Sequence, residues 1–446
     1  MLSCGQIRTS RQVFRLAGGI VESGIKLCMA FICATGVIPS VQAESASLEA
    51  LMKQALDKNP EIAAAQSARD EAYYEVRRSL WALFPSFRAS SSQSEAQIDQ
   101  TSASLVQPLW TGGDLSGRIA RAESLLAEYE ARLSNQAQDL FLQLTAAFAE
   151  AAATDEAIAA AEKNLANHEE LLARINRRAA AQASARIDVK LAEARRQYAV
   201  TELLRLNADK QRYLDELERL SGAVIGSIKV TVTPELPKKS LSQLIDEIEQ
   251  ISPALSAYQA QRQQAKAEMK VAKALTKPKV FAGYERRFDE IFPGQVEEQF
   301  YLAFEYAPGA GFEAGTAQAA ARARERTITA TMESARQDVA LQVKSAVNFI
   351  EVSHAQLGPA RELVEATTAV SESYLRQFAV GQKSWLDVMN AQREAHQARL
   401  FQITQRKNFL SGYYRLQVMR QAYAPLTAFA SPMTELEQLR LDIPER

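Results

Sequence analysis

The stretch GQKSWLDVMNAQREAHQARL (residues 381–400) has a counterpart earlier in the chain, SARIDVKLAEARRQYA (residues 184–199). In both stretches an Asp–Val pair is followed by Ala three residues after the Val, so that Asp188 corresponds to Asp387 at an offset of 199. Both are rich in Ala, Arg, Gln and Leu, which are good helix formers. The pair predicts that one helix-forming unit occurs twice.

The repetition extends over most of the chain. Matched positions have an offset of 193 near the start of the unit, 200 in its middle and 199 afterwards. The matched pairs include Ser47/Ser240, Pro60/Pro253, Pro85/Pro278, Pro108/Pro308 and Gln138/Gln337. Because prolines that start or stop helices recur in step with the helical segments, a tandem duplication explains the pattern better than chance similarity between two Ala-rich helices.

Each unit is predicted to begin with a capped helix. Asn59–Pro60 and Ser252–Pro253 each place an N-cap residue before a proline at the first helical position. We expect these two helices to run to about Ala82 and Leu275. Residues 114–180 contain no proline, which predicts a helix about 100 Å long.

Strands are predicted between these helices. EQFYLAFEY (residues 298–306) alternates in the way a strand does, with Phe300, Leu302 and Phe304 on one face. Each unit has room for two strands of about ten residues, the length that crosses a membrane in a β-barrel. The Ser-rich text around residue 90 predicts a poor lipid-facing surface for the first pair.

The first 43 residues have the features of a secretory signal peptide. Basic residues precede the short apolar run LCMAFICATGVI (residues 27–38), and Val41-Gln42-Ala43 is a small-residue cleavage site. An uncleaved membrane anchor is the alternative. Cleavage after Ala43 would remove Cys4, Cys28 and Cys33, the only cysteines, and with them any disulfide or lipoprotein anchor. It would also change the net charge from −1 to −4, which argues against nucleic acid as a partner.

No catalytic or cofactor motif stands out. His168, His354 and His396 are far apart in sequence and none belongs to an HExxH motif. The Gly-rich PGAGFEAG (residues 308–315) lacks the spacing of a dinucleotide-binding loop. We therefore predict a protein that is not an enzyme and uses no cofactor or metal.

The whole plan resembles the TolC-like outer-membrane factors, the outer membrane efflux protein family. The most specific segments are LVQPLWTGG (residues 105–113), similar to the family's strand-to-helix junction, and FAVGQKSWLDVMNAQREAHQARL (residues 378–400), similar to its tip turn and return helix. The resemblance covers nearly all of the chain after the predicted signal.

This resemblance implies a mostly α fold with a transmembrane β-barrel. Each protomer would contribute long helical hairpins and four strands, and a homotrimer would close a twelve-stranded barrel in outer-membrane lipid. The expected organisation is a signal peptide, a first repeat, an equatorial linker, a second repeat and a C-terminal tail. Their bounds are residues 1–43, 44–220, 221–239, 240–424 and 425–446.

The resemblance also implies functional residues at the helical tips. Asp387 would narrow the periplasmic end of the duct as a ring of three carboxylates, with Asn390 at the position of a second acidic ring. The alternative for Asp387, and the preferred one for Asp188, is a solvated aspartate at a helix start, favoured by the helix dipole. The latch or adaptor-contact surface would comprise Phe378, Gly381, Gln382, Lys383, Ala181, Gln182 and Ala183.

The implied function is an outer-membrane exit duct of a tripartite export system. Its partners would be a periplasmic adaptor (a membrane fusion protein) and an inner-membrane ABC or proton-driven pump. The cargo would be a secreted protein such as an adhesin or toxin, by type I secretion, or small molecules. The alternatives are a periplasmic adaptor, which would not show this repeat, and a coiled-coil structural protein of the envelope, which would not need the alternating strand.

Overall fold

The computed structural model describes residues 45–93, 99–182, 184–288, 298–307 and 313–422. The predicted signal peptide (residues 1–43), the C-terminal tail (residues 425–446) and Ala183 lie outside these ranges.

The two halves of the chain contain the same succession of long elements. The first half comprises β1 (Ser45–Ala46), α1 (Leu48–Lys58), α2 (Pro60–Trp81), β2 (Ser86–Gln93), β3 (Asp99–Trp110), α3 (Asp114–Ala180) and α4 (Arg186–Ser221). The second comprises β4 (Ser227–Ile228), α5 (Leu241–Ile251), α6 (Pro253–Ala274), β5 (Lys279–Arg287), β6 (Glu298–Glu305), α7 (Glu313–Ala379) and α8 (Trp385–Met419). Both α3 and α7 have 67 residues, and both α2 and α6 have 22.

The predicted caps start the paired helices α2 and α6. The Asn59 side chain accepts a hydrogen bond from the Glu61 amide at 2.9 Å, and the Ser252 hydroxyl accepts one from the Leu255 amide at 3.4 Å. Asn59 also donates to the Leu220 carbonyl at 3.0 Å, which fastens the start of α2 to the end of α4. The N-cap prediction is confirmed at both positions.

The longer strands form one antiparallel sheet in the order β2–β3–β5–β6. The first pair forms in spite of its serines, because hydroxyls pair across it: Ser90 with Ser102 and Ser91 with Thr101, each at 3.1 Å. The two unpaired edges of this sheet are β2 and β6.

The two faces of the sheet differ in chemistry. Register places Phe87, Leu105, Tyr284 and Phe300 in one row across the four strands. The corresponding row on the opposite face is Arg88, Ser104, Glu285 and Gln299. The apolar face is open within one chain, since Phe300 is 84% exposed and Leu302 and Phe304 are each 70% exposed. Near the helices, Phe87 and Leu105 extend the apolar face of β5 and β6, whereas the same face carries Ser91 and Thr101 farther along the first pair.

The helices lie side by side around α3. One part of α3 packs against α2 and α6, and another packs against α4 and α8, while α7 packs against α8. The largest buried cluster includes Phe141 and Phe148 of α3 with Tyr414 of α8, so it joins the two halves of the chain. At the end of the molecule where the two hairpins turn, the packing order is α4, α3, α8 and α7. We call this end the lower half, and α4 and α7 are its outermost helices.

The linker between the halves contains one short strand among its residues. Within residues 221–239 the structure assigns strand to Ser227–Ile228, which pairs in parallel with Ser45–Ala46. Pro234 and Pro237 follow shortly afterwards and lack the N–H that a ladder needs. Among the described residues, none of the helices is both long enough and apolar enough to span a membrane.

Candidate functional site at the helical tips

Each helical hairpin ends in a short turn. We call residues 181–185, between α3 and α4, the first tip, and residues 380–384, between α7 and α8, the second tip. In the second tip Gly381 has φ = +80°, which is the left-handed conformation. In the first tip Gln182 occupies the same conformation with φ = +57°, at a cost that glycine avoids.

Asp387 closes the second tip as part of a capping box. Its carboxylate accepts hydrogen bonds from the Ser384 hydroxyl at 2.7 Å and the Ser384 amide at 3.2 Å. The Ser384 hydroxyl in turn accepts from the Asp387 amide at 3.2 Å. The hydroxyl and then the amide of Ser384, with a smaller contribution from Lys383, lower the pKa of Asp387. The aspartate therefore stays ionised at neutral pH.

Asp188 has a reduced version of this arrangement. Its carboxylate accepts a hydrogen bond from the Ala185 amide at 3.2 Å, but Ala185 has no side-chain oxygen to return one. Ala181 and Gln182 are exposed, and Ala183 lies outside the described residues. The two tips thus have the same backbone plan and different caps.

Phe378 and Lys383 make their contacts inside the protomer. Phe378 is only 5% exposed and packs with Ile175 and Val388, while the Arg178 guanidinium lies 4.9 Å from its ring centre. The Lys383 ammonium lies 4.4 Å from the ring centre of Tyr374. Phe378 is therefore part of the core between the two hairpins, unlike an exposed adaptor contact. Gln382 and Asn390 are exposed, the latter one turn beyond Asp387 on α8.

The tip region also carries a basic cleft. A cavity of about 330 Å³ is lined by Arg174, Arg177, Arg178, Ala181, Phe378 and Ala379. Arg174 is paired with Glu170, whereas neither Arg177 nor Arg178 has an ion pair among the described residues. These charges lie at the end of α3, where the helix dipole favours positive side chains.

The fold brings together two histidines that sequence separation kept apart. His396 donates to Glu202 at 2.9 Å, and His168 interacts electrostatically with both. The hydrogen bond from His396 lowers the pKa of Glu202. Burial, and then the positive charges of His396 and Arg195, lower the pKa of His168. The repeat shows that these residues lie at similar distances from the tips. It does not show that their side chains face one another.

These side chains do not form a metal centre. In the described part of the chain there is no group of three or more His, Cys, Asp or Glu side chains placed to hold a metal ion. The tips instead offer charged surface at the ends of two long hairpins.

Comparisons with known proteins agree with this architecture. The family model described as outer membrane efflux protein matches residues 244–419. A membrane protein from Pseudomonas aeruginosa superposes with a TM-score of 0.73 at 17% identity, covering 84% of this chain and 93% of that one. No curated protein is a significant sequence match.

Two further solved structures have the same fold. The CmeC outer membrane channel of Campylobacter jejuni gives a TM-score of 0.74 at 12% identity, covering 88% of this chain and 89% of that one. The outer membrane protein VceC of Vibrio cholerae gives 0.72 at 16% identity, covering 84% and 95%.

These structures share the long paired hairpins and the sheet, so the chain has the fold of the TolC-like outer membrane channels. The outer membrane efflux protein model matches the second half of the chain, in agreement with the resemblance seen in the sequence. Proteins of that family are channels of the Gram-negative outer membrane that extend into the periplasm, and are not enzymes. Channels of this family work as trimers with periplasmic adaptors and inner-membrane pumps in tripartite systems.

The backbone of the second tip can be tested with two glycine substitutions. A methyl group added at Gly381 or at Gly358 would meet open space, but only Gly381 has a positive φ. Gly381→Ala should therefore cost about 1 kcal/mol locally. We expect amide exchange over residues 376–390 to become about fivefold faster.

Hydrogen-exchange mass spectrometry of the detergent-solubilised protein measures this. Gly358→Ala is the matched control and should not accelerate exchange around its own position in α7, since alanine favours the helix. Equal behaviour of the two variants would show that the tip does not depend on the left-handed residue.

Proposed function

We propose that three copies of this chain close a ring that serves as a passive, water-filled exit duct. The observation that carries the proposal is the pair of open edges, β2 on one side of the sheet and β6 on the other. Unpaired strand edges are not tolerated in hydrocarbon, and a sheet with an apolar outer face avoids them only by closing. Four strands from each of three copies make the expected twelve-stranded barrel.

The polarity of the sheet supports this arrangement. The row containing Phe87, Leu105, Tyr284 and Phe300 suits lipid, and the row containing Arg88, Ser104, Glu285 and Gln299 suits a wet lumen. A heterologous contact of β6 with the next copy's β2 repeats around the ring until it closes.

The helices offer a second pair of open edges. On α4, Ile187 and Leu204 are largely exposed, and on α7, Leu341 and Leu363 are exposed. Within the described part of one chain, these apolar residues on both outermost helices are left largely uncovered. In the ring, α4 of one copy would pack against α7 of the next and extend the barrel as a helical tunnel.

We further propose that Asp387 and Asn390 narrow the periplasmic end of this tunnel. They lie one turn apart on α8, and the Ser384 hydrogen bonds keep the Asp387 charge in place. Three such carboxylates would raise the local concentration of cations. Asp188, whose side chain serves the first tip in a similar way, is a structural helix-start residue in this proposal.

The tip surface is proposed as the docking site of the periplasmic adaptor. Ala181, Gln182, Gly381 and Gln382 are exposed there, beside the Arg177–Arg178 cleft. Ala183 is included as a sequence prediction, and Lys383 as a half-buried contributor held over Tyr374. The buried Phe378 would act indirectly, by fixing the two hairpins to each other.

The cargo is proposed to be a secreted protein, with small molecules as the second candidate. The reasons come from the sequence: no cysteine follows the predicted cleavage site at Ala43, and the tips depart from the family pattern. An ABC pump would then be the energy source, and a proton-driven pump would fit the small-molecule candidate. Residues 1–43 as signal peptide and 425–446 as tail belong to the same proposal.

Ring closure can be tested by cross-linking. Leu204 lies 18 residues after the start of α4, and Leu363 lies 16 residues before the end of α7. Their distances from the tips along the helices therefore differ by about 3 Å. A Leu204→Cys, Leu363→Cys double variant should give covalent dimers and trimers with a short bis-maleimide, read on denaturing gels. No cysteine occurs after residue 33 to interfere.

The control pairs Leu204→Cys with Leu341→Cys. Leu341 precedes Leu363 by 22 residues in α7 and is therefore about 33 Å farther from the tips. This pair should give no covalent trimer. Monomers alone from the first pair, with the protein folded by circular dichroism, would contradict the α4–α7 contact.

The acidic ring can be tested with Asp387→Asn, which keeps a hydrogen-bond acceptor for Ser384 and removes only the charge. We expect the preference for cations over anions to fall severalfold in planar-bilayer recordings. Asn390→Asp should increase the preference, and Asp188→Asn should leave it unchanged. Unchanged selectivity in Asp387→Asn, with normal conductance, would return Asp387 to the role of a helix cap.

Cargo and tip function can be tested in cells that lack the chain. For a protein cargo, deletion should remove one or more large proteins from the culture medium, while drug susceptibility stays unchanged. Wild-type chain should restore secretion, and a chain with a short epitope inserted after Gln382 should not, although it still forms trimers. Increased drug susceptibility with unchanged secretion would favour small molecules, and export by the insertion variant would place the adaptor elsewhere.

A further inference from the structure

A cavity of about 510 Å³ lies between α4 and α8, with α3 behind it. His168 and Asn164 come from α3, Arg195 and Tyr198 from α4, and Arg393 from α8. His396 lines the cavity from α8 and lies 11 residues after the start of that helix. The cavity is therefore about 17 Å from the second tip. The cavity is separate from the basic cleft, since the two share no lining residue.

The lining of this cavity has more positive than negative charge. Its arginines are Arg195, Arg205 and Arg393, and its carboxylate is Glu202. Glu202 is bonded to His396 at 2.9 Å, and Arg205 is paired with Asp209 at 2.6 Å. Arg195 and Arg393 make no ion pair or hydrogen bond within the described ranges. Two guanidinium groups therefore have donors to offer to an anion.

His168 faces the cavity without a partner. Only 7% of the residue is exposed, and it makes no hydrogen bond to any residue that the structure describes. It lines the cavity and its ring nitrogens are not among the fully buried unpaired atoms, so they are accessible from the cavity. Because its pKa is lowered by burial and by the nearby positive charges, the imidazole is neutral at pH 7 and has both a donor and an acceptor nitrogen.

We propose that this cavity binds a carboxylate, presented by an acidic side chain of the periplasmic adaptor as it packs along the groove between α4 and α8. Arg195 and Arg393 would pair with the carboxylate, and His168 would donate to it. The inference rests on the proposed function, because it takes the adaptor as the source of the carboxylate.

The surroundings of the cavity favour a protein side chain over a free anion. Tyr198 is 72% exposed at its rim, and the half-buried Leu400 adds apolar surface to the lining. A packed helix would cover this surface together with the charge, whereas a small anion would leave it in water. An exposed tyrosine beside unpaired arginines is also the composition of a protein interface.

Binding should be linked to protonation of His168. The charged groups that face it are Arg195, Glu202 and Arg205 on α4 and Arg393 and His396 on α8. An added negative charge raises the pKa of His168 from its lowered value, so the complex takes up a proton as the pH falls. The affinity should therefore increase as the pH decreases from 7 towards 5.

The chain has three histidines, which makes the site directly observable. The trimer is labelled with [13Cε1]histidine and titrated with a helical peptide carrying two glutamates one turn apart, with its glutamine twin, and with free glutarate. We expect the glutamate peptide to shift the His168 signal and raise its titration midpoint. His354, which does not line the cavity, serves as the internal control.

Two variants make the assignment specific. Arg195→Gln with Arg393→Gln should weaken binding of the glutamate peptide at least about tenfold, since hydrogen bonds to charged groups are stronger than those between neutral ones. Arg196→Gln changes the same charge at the next residue, where Arg196 is paired with Glu169 and does not line the cavity. It should bind like the unchanged channel.

The outcomes separate this inference from the proposed function. Trimer formation and bilayer conductance, measured on the same preparation, test the duct. With a working duct, an unmoved His168 signal at saturating glutamate peptide overturns the carboxylate site, and so does an equal response in the Arg195/Arg393 variant. Glutarate acting as strongly as the peptide at equal carboxylate concentration overturns the adaptor as its source.

Discussion

The packing along α3 is the interaction on which the rest of the structure depends. A single helix of 67 residues cannot bury its apolar stripe against one short neighbour, so it contacts α2 and α6 along one part and α4 and α8 along another. Phe141 and Phe148 meet Tyr414 in the same buried cluster. Through this helix the two repeats become one body, and the tips and the sheet are held at fixed positions at its ends.

The two tips show how a duplicated unit can diverge without losing its backbone plan. At the second tip, glycine adopts the left-handed conformation and Ser384 and Asp387 cap each other in both directions. At the first tip, Gln182 takes the strained conformation and Ala185 contributes only its amide to Asp188. The second tip is therefore the better defined of the two. The first tip combines a weaker turn with the arginine-lined cleft beside it, a combination suited to adjustment on contact with a partner.

Charge is distributed along the hairpins according to what surrounds it. Near the tips, Arg177 and Arg178 at the end of α3 have no ion pair with any residue that the structure describes, and farther up, Arg195 and Arg393 flank a nearly buried histidine. Many other charged side chains are paired along one helix or between neighbours, for example Arg174 with Glu170 and Arg406 with Glu156. The basic cleft at the tips and the cavity between α4 and α8 are thus two places where arginines of the described residues have no ion pair.

Local signals in the sequence were sufficient for the elements and their order. The helix starts at Asn59–Pro60 and Ser252–Pro253 and the turn at Gly381 depend on a few neighbouring residues, so they could be interpreted without knowing the fold. The proline-free run from 114 to 180 likewise indicated a long helix by itself. The same holds for the alternation in β6. The duplicated Asp–Val–Ala pattern also gave the return helices and the family resemblance.

Contacts between distant elements needed the tertiary structure. The Ser-rich first strands form because hydroxyls and apolar residues on β3 meet them in register, which single-strand patterning does not reveal. Phe378 is buried because α3 and α8 pack around it, and His168, Glu202 and His396 come together from three helices. Sequence patterns determine which face of a helix is apolar, but the neighbour that covers that face, and the polar residues enclosed with it, are decided only when the helices pack.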